Sequence, residues 1–328
     1  MALLETLRHL RFEDLGLSDY SLEYIQKMLP NIDYYFDIYR YVVDYLLDII
    51  GRPADELALV DYGGGHGFLS MYLKERGVKQ VIYVDHNPKA VHAVTAIKSA
   101  VGLAPDVVLQ GNTQQLKQWC MENDVLPDGL LGLDVIEHIY CLDDFFCDLF
   151  GVAPMLPMVF TTGSNPFNMH LVNRLHRAMV LDEQGDGKGQ EGFFHLRRRY
   201  INKHFPTMDD KELDYWAKHT RGLIYEDVQR AVESHSPNLL RDSFNTCDPE
   251  TGSWTERILS LEEYRGIVQP YNCDVFIENG FYNERSRKFG KRFRHFLNRL
   301  LRQASFTAIA PFIILSIQRG VKTKGQQT

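Results

Sequence analysis

Between Leu57 and Thr162 the chain alternates short apolar runs with amphipathic stretches, and this alternation limits the fold more than any other feature. LALV (57–60), VIYV (81–84), VVL (107–109), LLGLDV (130–135) and PMVFTT (157–162) read as five strands, the first of them short and buried. Between them lie segments with helical periodicity. FLSMYLKER is stopped by Gly77, and a second helix runs from Pro88, with proline in its first turn, to about Ala100. A strand without a polar face needs cover on both sides, and strand–helix alternation at this pace supplies it in a doubly wound parallel α/β sheet.

The flanks divide the chain further. Residues 1–52 read as an N-terminal helical cap, with Ser21 as the start of a short helix and Tyr35, Ile38, Val42, Tyr45 and Ile49 at helical spacing in the next. Residues 53–164 are the core unit. Residues 165–265 are polar, aromatic and helical without a strand signal. They are too long for an ordinary connection, which makes them an inserted lid or substrate region. Residues 266–328 return to the core, beginning after the capping-box spacing of Ser260 and Glu263 and continuing through DVFIEN and APFIILSI, with a frayed tail VKTKGQQT.

The loop after the first strand, VDYGGGHG, gives the alternation a chemical meaning. A glycine-rich turn between a buried strand and a helix lets a ligand reach the backbone and the helix N-terminus. The dinucleotide spacing G-x-G-x-x-G fails here, because the sixth position counted from Gly63 is Phe68. The pattern present is acid-x-G-x-G-x-G: Asp61, Gly63, Gly65, Gly67. With Asp85 ending the second strand, Asn112 after the third and DVIEH (134–138) after the fourth, this resembles the class I S-adenosylmethionine-dependent methyltransferases of small-molecule type. The resemblance is clear over about 53–163 and looser over the last strand–helix–strand. It implies a seven-stranded sheet in the order 3-2-1-4-5-7-6 with the last strand antiparallel, and S-adenosylmethionine as cofactor. It also implies a cofactor set of Asp61, Gly63, Gly64, Gly65, Gly67, Asp85, His86, Asn112 and Asp134. Within that set Asp61 orients the ammonium, Asp85 accepts from the ribose hydroxyls, and Asn112 reads the adenine amino group unless it only caps the following helix. His66 receives no role.

Methyl transfer from a sulfonium is an in-line displacement, so a hydroxyl acceptor calls for a base. His138 is the first candidate, at the sheet's carboxyl edge. His195, in FFHLRRRY, is a second, and both have a structural alternative as helix-bracing or solvated residues. Relatives that carry E-x-x-E-H use it with a later His as a metal site. Here the corresponding set is Asp134, Glu137 and His138 with His170 or His195, against the simpler reading of a metal-free site. The expected reaction is O-methylation of a small or lipid-linked metabolite. A non-catalytic protein binding the same cofactor is the alternative, and a nicotinamide oxidoreductase is disfavoured by the glycine spacing.

Composition excludes other classes. A net charge of −7 argues against a nucleic-acid partner, and five cysteines without a CxxC pair argue for a reducing compartment. The start shows no signal-peptide pattern, so the expected location is the cytoplasm. One segment departs from the acidic balance: residues 285–302 hold eight Lys/Arg and no acid, with Phe289, Phe293, Phe296 and Leu300 at helical intervals. Such a helix either lies on an anionic membrane surface or buries its apolar stripe on the sheet.

Overall fold

The computed structural model describes residues 2–187, 191–285 and 290–319. Phe289 and the tail VKTKGQQT, for which the sequence reading had expectations, lie outside the described residues. Three helices come first: α1 (Ala2–His9), α2 (Asp19–Met28) and α3 (Ile32–Ile50). The core then alternates β1 (Ala58–Tyr62), α4 (Phe68–Glu75), β2 (Gln80–Asp85), α5 (Pro88–Val101), β3 (Val107–Gln110), α6 (Thr113–Asn123), β4 (Gly129–Leu133), α7 (Leu142–Val152) and β5 (Met158–Thr162). Helices α8 (Met169–Gln184), α9 (Phe193–His204), α10 (Asp210–His219) and α11 (Tyr225–Glu233) follow, and an irregular stretch leads to α12 (Leu261–Val268). The chain closes with β6 (Cys273–Asn279), α13 (Lys291–Leu301) and β7 (Ile313–Arg319).

The strands form one seven-stranded sheet in the order β3-β2-β1-β4-β5-β7-β6. β1 to β5 are parallel, and β7 inserts antiparallel between β5 and β6. The expected α/β architecture and strand order are both present. Alternate residues of one strand face opposite cores. On β2, Val81 and Tyr83 join Phe36, Val42, Leu46, Leu73 and Ile97 beneath α3, α4 and α5. Ile82 and Val84 join Phe146, Leu149 and Phe160 beneath α6 and α7 on the other face. Each such buried side chain contributes roughly 1.5–3 kcal/mol over exposure.

Several local expectations hold for the stated physical reasons. Asn87 accepts from the Lys89 N–H ahead of Pro88, and Ser260 and Glu263 form a reciprocal capping box. Two differ. The cap of α2 is Ser18; Ser21 is buried inside the helix, with its hydroxyl directed at the Lys89 carbonyl of α5. β4 ends at Leu133, not residue 135, because Asp134 turns out of the ladder with φ +50°.

The region after β5 builds a small core of its own from Ile201, Leu213, Trp216, Val228 and Val232. Beside it Arg197, fully buried, donates from Nη2 to Glu183 at 2.5 Å and from Nε to the Ala217 carbonyl. Thr246 donates to the other Glu183 oxygen, tying the irregular stretch to α8 and α9. Removing Arg197 leaves the buried Glu183 with only the more distant Arg221 guanidinium, 3.9 Å away, to compensate its charge. Arg197→Met is therefore expected to cost about 3 kcal/mol in denaturant unfolding, and adding Glu183→Leu is expected to restore much of that loss.

Candidate functional site

Strand order reverses beside β1, where β2 and β3 lie to one side and β4 and β5 to the other. The loops after β1 and β4 therefore diverge and leave a crevice at the carboxyl edge. A cavity of about 400 Å³ occupies it. Its walls are Gly63–His66 after β1, Leu133, Asp134, Glu137 and His138 after β4, and Thr161 and Gly163 after β5. Tyr24 and Met28 of α2 and Tyr35, Ile38 and Tyr39 of α3 cover it, with Pro311 and Phe312 ahead of β7 and Glu256 from the irregular stretch.

The glycine loop meets two different demands. At Gly67, where φ is +77°, a Cβ would lie 2.1 Å from Cγ2 of Val94, and at Gly64 one would strike the Tyr83 ring at 2.6 Å. These glycines serve the protein's own packing. Gly65, at φ +53°, would meet no atom within 4 Å, so its bare side is the one turned to open space. Its N–H donates to Asp85 Oδ2 at 2.9 Å, and Tyr83 Oη donates to its carbonyl at 2.6 Å. The Asn87 N–H binds Asp85 Oδ1. Each Asp85 oxygen keeps acceptor capacity beyond the one bond it makes.

The electrostatics of the lining are one-sided. Four carboxylates (Asp61, Asp134, Glu137, Glu256) and two histidines border the cavity, and no Lys or Arg does so among the described residues. Asp61 is buried, accepts from the Ser70 hydroxyl at 2.6 Å, and is pushed up by burial to about 7. Glu137 is 2% exposed, and its Oε2 has no hydrogen-bond partner. Burial, then the charge of Asp134, raises its carboxyl well above the usual range. Asp134 is raised mainly by the low-dielectric surroundings of the cavity, against the bond from the Thr161 hydroxyl. His66 stacks on Tyr24 at 4.8 Å and leaves both ring nitrogens unpartnered; burial lowers it to about 4, so it is neutral at pH 7.

The far wall is assembled from a distant part of the chain. Trp254 N–H donates to the His138 carbonyl at 3.3 Å, and Arg257 N–H to the Glu137 carbonyl at 3.1 Å. His138 Nδ1 lies 2.7 Å from the Trp254 carbonyl. A carbonyl only accepts, so Nδ1 carries the proton and Nε2 is left with a lone pair. Glu256 Oε2 accepts from the Ser164 hydroxyl at 3.0 Å. One ligand-type atom each from Glu137, His138 and Glu256 lie within 4.8 Å of one another, the arrangement able to hold a metal ion.

The residues expected from the sequence thus separate. Asp61, Gly63, Gly64, Gly65, Asp134, Glu137 and His138 border one cavity, with Asp85 joined to its wall through Gly65. Gly67 lies behind the wall as the cap of α4. His86 is exposed, and Asn112 closes a capping box with Gln115 on α6, using its side-chain oxygen on Gln114 N–H. His195 is exposed on α9 against Phe194, and His170 is exposed at the start of α8. Glu256 and Trp254 carried no motif in the sequence. Their approach to His138 is made entirely by the path of the irregular stretch.

The strand order is that of the class I S-adenosylmethionine-dependent methyltransferase fold. No family model and no curated protein matches the chain. Among solved structures it is similar to a S-adenosylmethionine-dependent methyltransferase from Aquifex aeolicus, at 18% identity and TM-score 0.29 over 38% of this chain and 62% of that one. It is also similar to magnesium protoporphyrin IX methyltransferase from Synechocystis, solved with S-adenosylhomocysteine, at 13% identity and TM-score 0.41 over 87% and 83% of the two chains. A third is a sarcosine dimethylglycine methyltransferase from Galdieria sulphuraria, so described in its structure, at 12% identity and TM-score 0.42 over 87% and 86%.

A carboxyl raised on folding binds its proton more tightly in the folded state, so stability falls as pH rises from about 4, its unfolded value, to about 7. Asp61→Asn removes this group's share. The variant's melting temperature, measured without ligand, is expected to decline less steeply across that window than the parent's.

Proposed function

We propose that the protein binds S-adenosylmethionine and transfers its methyl group to an oxygen of a small or lipid-linked acceptor held between the glycine loop and His138. The observation carrying this reading is that the acid-x-G-x-G-x-G loop and His138 border one cavity lined by carboxylates and, among the described residues, by no Lys or Arg. An anionic pyrophosphate is repelled there, whereas a ligand bearing an ammonium and a sulfonium is attracted. The bare side of Gly65 and the remaining acceptor capacity of Asp85 fit the same ligand.

Bound S-adenosylmethionine supplies an electrophilic methyl group, and its loss leaves a neutral thioether. The chain's own part is to orient the acceptor and remove its proton. Nε2 of His138 is the base: the Trp254 carbonyl fixes the tautomer, so the lone pair is available when the acceptor hydroxyl arrives. As the new C–O bond forms, the hydroxyl proton passes to Nε2. The imidazolium is then stabilised by the carboxylates of Glu137 and Asp134, its neighbours on the cavity wall. Tyr24, Tyr34 and Tyr35 cover the site and limit water.

A lipid-linked acceptor is supported by the surface beside this cavity. Helix α13 leaves Phe293 and Phe296 exposed and buries Arg294, while Leu301 is buried and Leu297 and Leu300 are half-buried, so part of its apolar stripe faces outward. Arg292, Arg299 and Arg302 are exposed around it. Between α13 and the start of α8 is a recess of about 810 Å³ lined by Phe167, Met169, Leu171, Leu297, Ile309 and Pro311, and Pro311 also borders the cavity. An apolar tail held there would bring its head group to the site. No helix among the described residues is long and apolar enough to cross a membrane, so contact would be at the surface.

The direct test supplies labelled S-adenosylmethionine and fractionated cell extract; label in an aqueous or lipid acceptor supports methyl transfer, and label in neither opposes it. Asp85→Ala is expected to weaken S-adenosylhomocysteine binding at least ten-fold. His138→Ala is expected to lower turnover by roughly 10²–10⁴ at unchanged affinity, a split readable by calorimetry and single-turnover assay. For the surface, Phe293→Ala with Phe296→Ala is expected to abolish co-sedimentation with vesicles rich in phosphatidylserine. Equal binding to neutral vesicles would refute the electrostatic part.

A further inference from the structure

The carboxylates around His138 exceed what the cofactor's charge can balance, and their geometry says what completes the site. We propose that Glu137, His138 and Glu256 bind one divalent metal ion, with Glu256 supplied by the irregular stretch between α11 and α12. The binding itself does not depend on the methyl-transfer reading; only its use in the reaction does.

Four observations support it. Ligand-type atoms of the three residues already lie within 4.8 Å of one another, whereas bonds of about 2.0–2.3 Å place ligand atoms roughly 3–4 Å apart, so a small inward movement closes the set. Glu137 is 2% exposed with Oε2 unpartnered, and a buried carboxylate oxygen without a donor is costly unless a cation takes the place of the missing bond. His138 has its proton fixed on Nδ1 by the Trp254 carbonyl, the outer contact that directs a ligating imidazole through Nε2. Glu256 is held by the Ser164 hydroxyl through Oε2, which leaves its other oxygen to the ion.

Charge separates a metal from an organic cation. Asp134, Glu137 and Glu256 converge on the cavity, and no Lys or Arg borders it among the described residues. The nearby cation, Arg257, lies over the Trp254 ring at 4.7 Å and donates to the Tyr140 carbonyl. An organic cofactor with an ammonium, a sulfonium and its own carboxylate has one net positive charge and balances one of the three carboxylates, whereas a divalent ion balances two while using the imidazole lone pair. Two carboxylates and one imidazole suit a first-row divalent ion of the manganese, iron or cobalt type better than thiolate-seeking ions. The metal set weighed as the alternative in the sequence had His170 or His195 as its fourth ligand, but both are exposed on α8 and α9. Glu256 takes that place because the backbone bonds from Trp254 and Arg257 register the stretch against residues 137 and 138. One lone pair cannot serve both an ion and the acceptor's proton, so the base role given above to Nε2 belongs to the metal-free chain, and in the metal-loaded chain the ion itself would hold the acceptor oxygen.

The test uses the full chain, freed of metal by chelation and titrated with Mn²⁺, followed by calorimetry and by loss of the free-ion electron paramagnetic resonance signal. One ion per chain is expected, with affinity reduced at least ten-fold in Glu137→Gln and Glu256→Gln and unchanged in His170→Ala. S-adenosylhomocysteine binding and the melting temperature of each variant, taken in parallel, show that the fold persists and report the cofactor reading separately. Absence of Mn²⁺ binding by the parent chain overturns the proposal, as does parental affinity in a folded Glu256→Gln variant.

Discussion

Everything that faces the cavity depends on one geometric constraint, the reversal of strand order beside β1. Parallel strands need crossover helices, and a chain that winds first to one side and then to the other cannot fill the space above the reversal point with either crossover. β1 and β4 pair through Leu59–Asp61 and Gly129–Leu131, and beyond that register their loops part. The Gly63–Gly67 turn bends one way, held by Tyr83 and Val94 beneath it, and the 134–138 segment bends the other. The N-terminal helices then roof the gap, with α3 resting on the same core as α4 and α5.

The second determinant is the short strap 254–257. Three backbone hydrogen-bonding contacts join it to Glu137 and His138, one of them made by the His138 ring. Trp254 adds an indole N–H to the Tyr140 carbonyl at 3.1 Å. These bonds hold the imidazole ring and deliver Glu256, so the region after β5 contributes a carboxylate to the cavity wall. The Arg197–Glu183–Thr246 network lies at the root of the same stretch and ties its path to α8 and α9. The coupling has a physical consequence: loosening the satellite core would also release His138 from its orienting carbonyl.

Much of this was legible in residue order. The five strands (β3 half-buried at the sheet edge, the others buried), the caps at Asn87 and Ser260, and the acid–glycine spacing are local patterns, and local patterns survive without tertiary knowledge. Asp134 was legible as a candidate, and it borders the cavity, but it was not legible as the residue that turns out of β4, where its N–H and carboxylate bond to Thr161. Asn112 offered two readings, and the structure shows its side-chain oxygen engaged in the cap. The basic helix also offered two, and the structure divides its apolar residues, with Leu301 buried and Phe293 and Phe296 exposed.

By itself the sequence determined the sheet, its winding and the glycine loop, because strand burial, helix capping and close backbone approach each demand particular residues within a few positions of one another. Only the tertiary structure decided what stands opposite that loop. Glu256 and Trp254 reach His138 across more than a hundred residues of chain, through contacts made largely by backbone groups that every residue carries. No spacing rule encodes such a contact. It exists because folding brings an irregular segment, otherwise left with unpaired amides, to rest on the loop after β4.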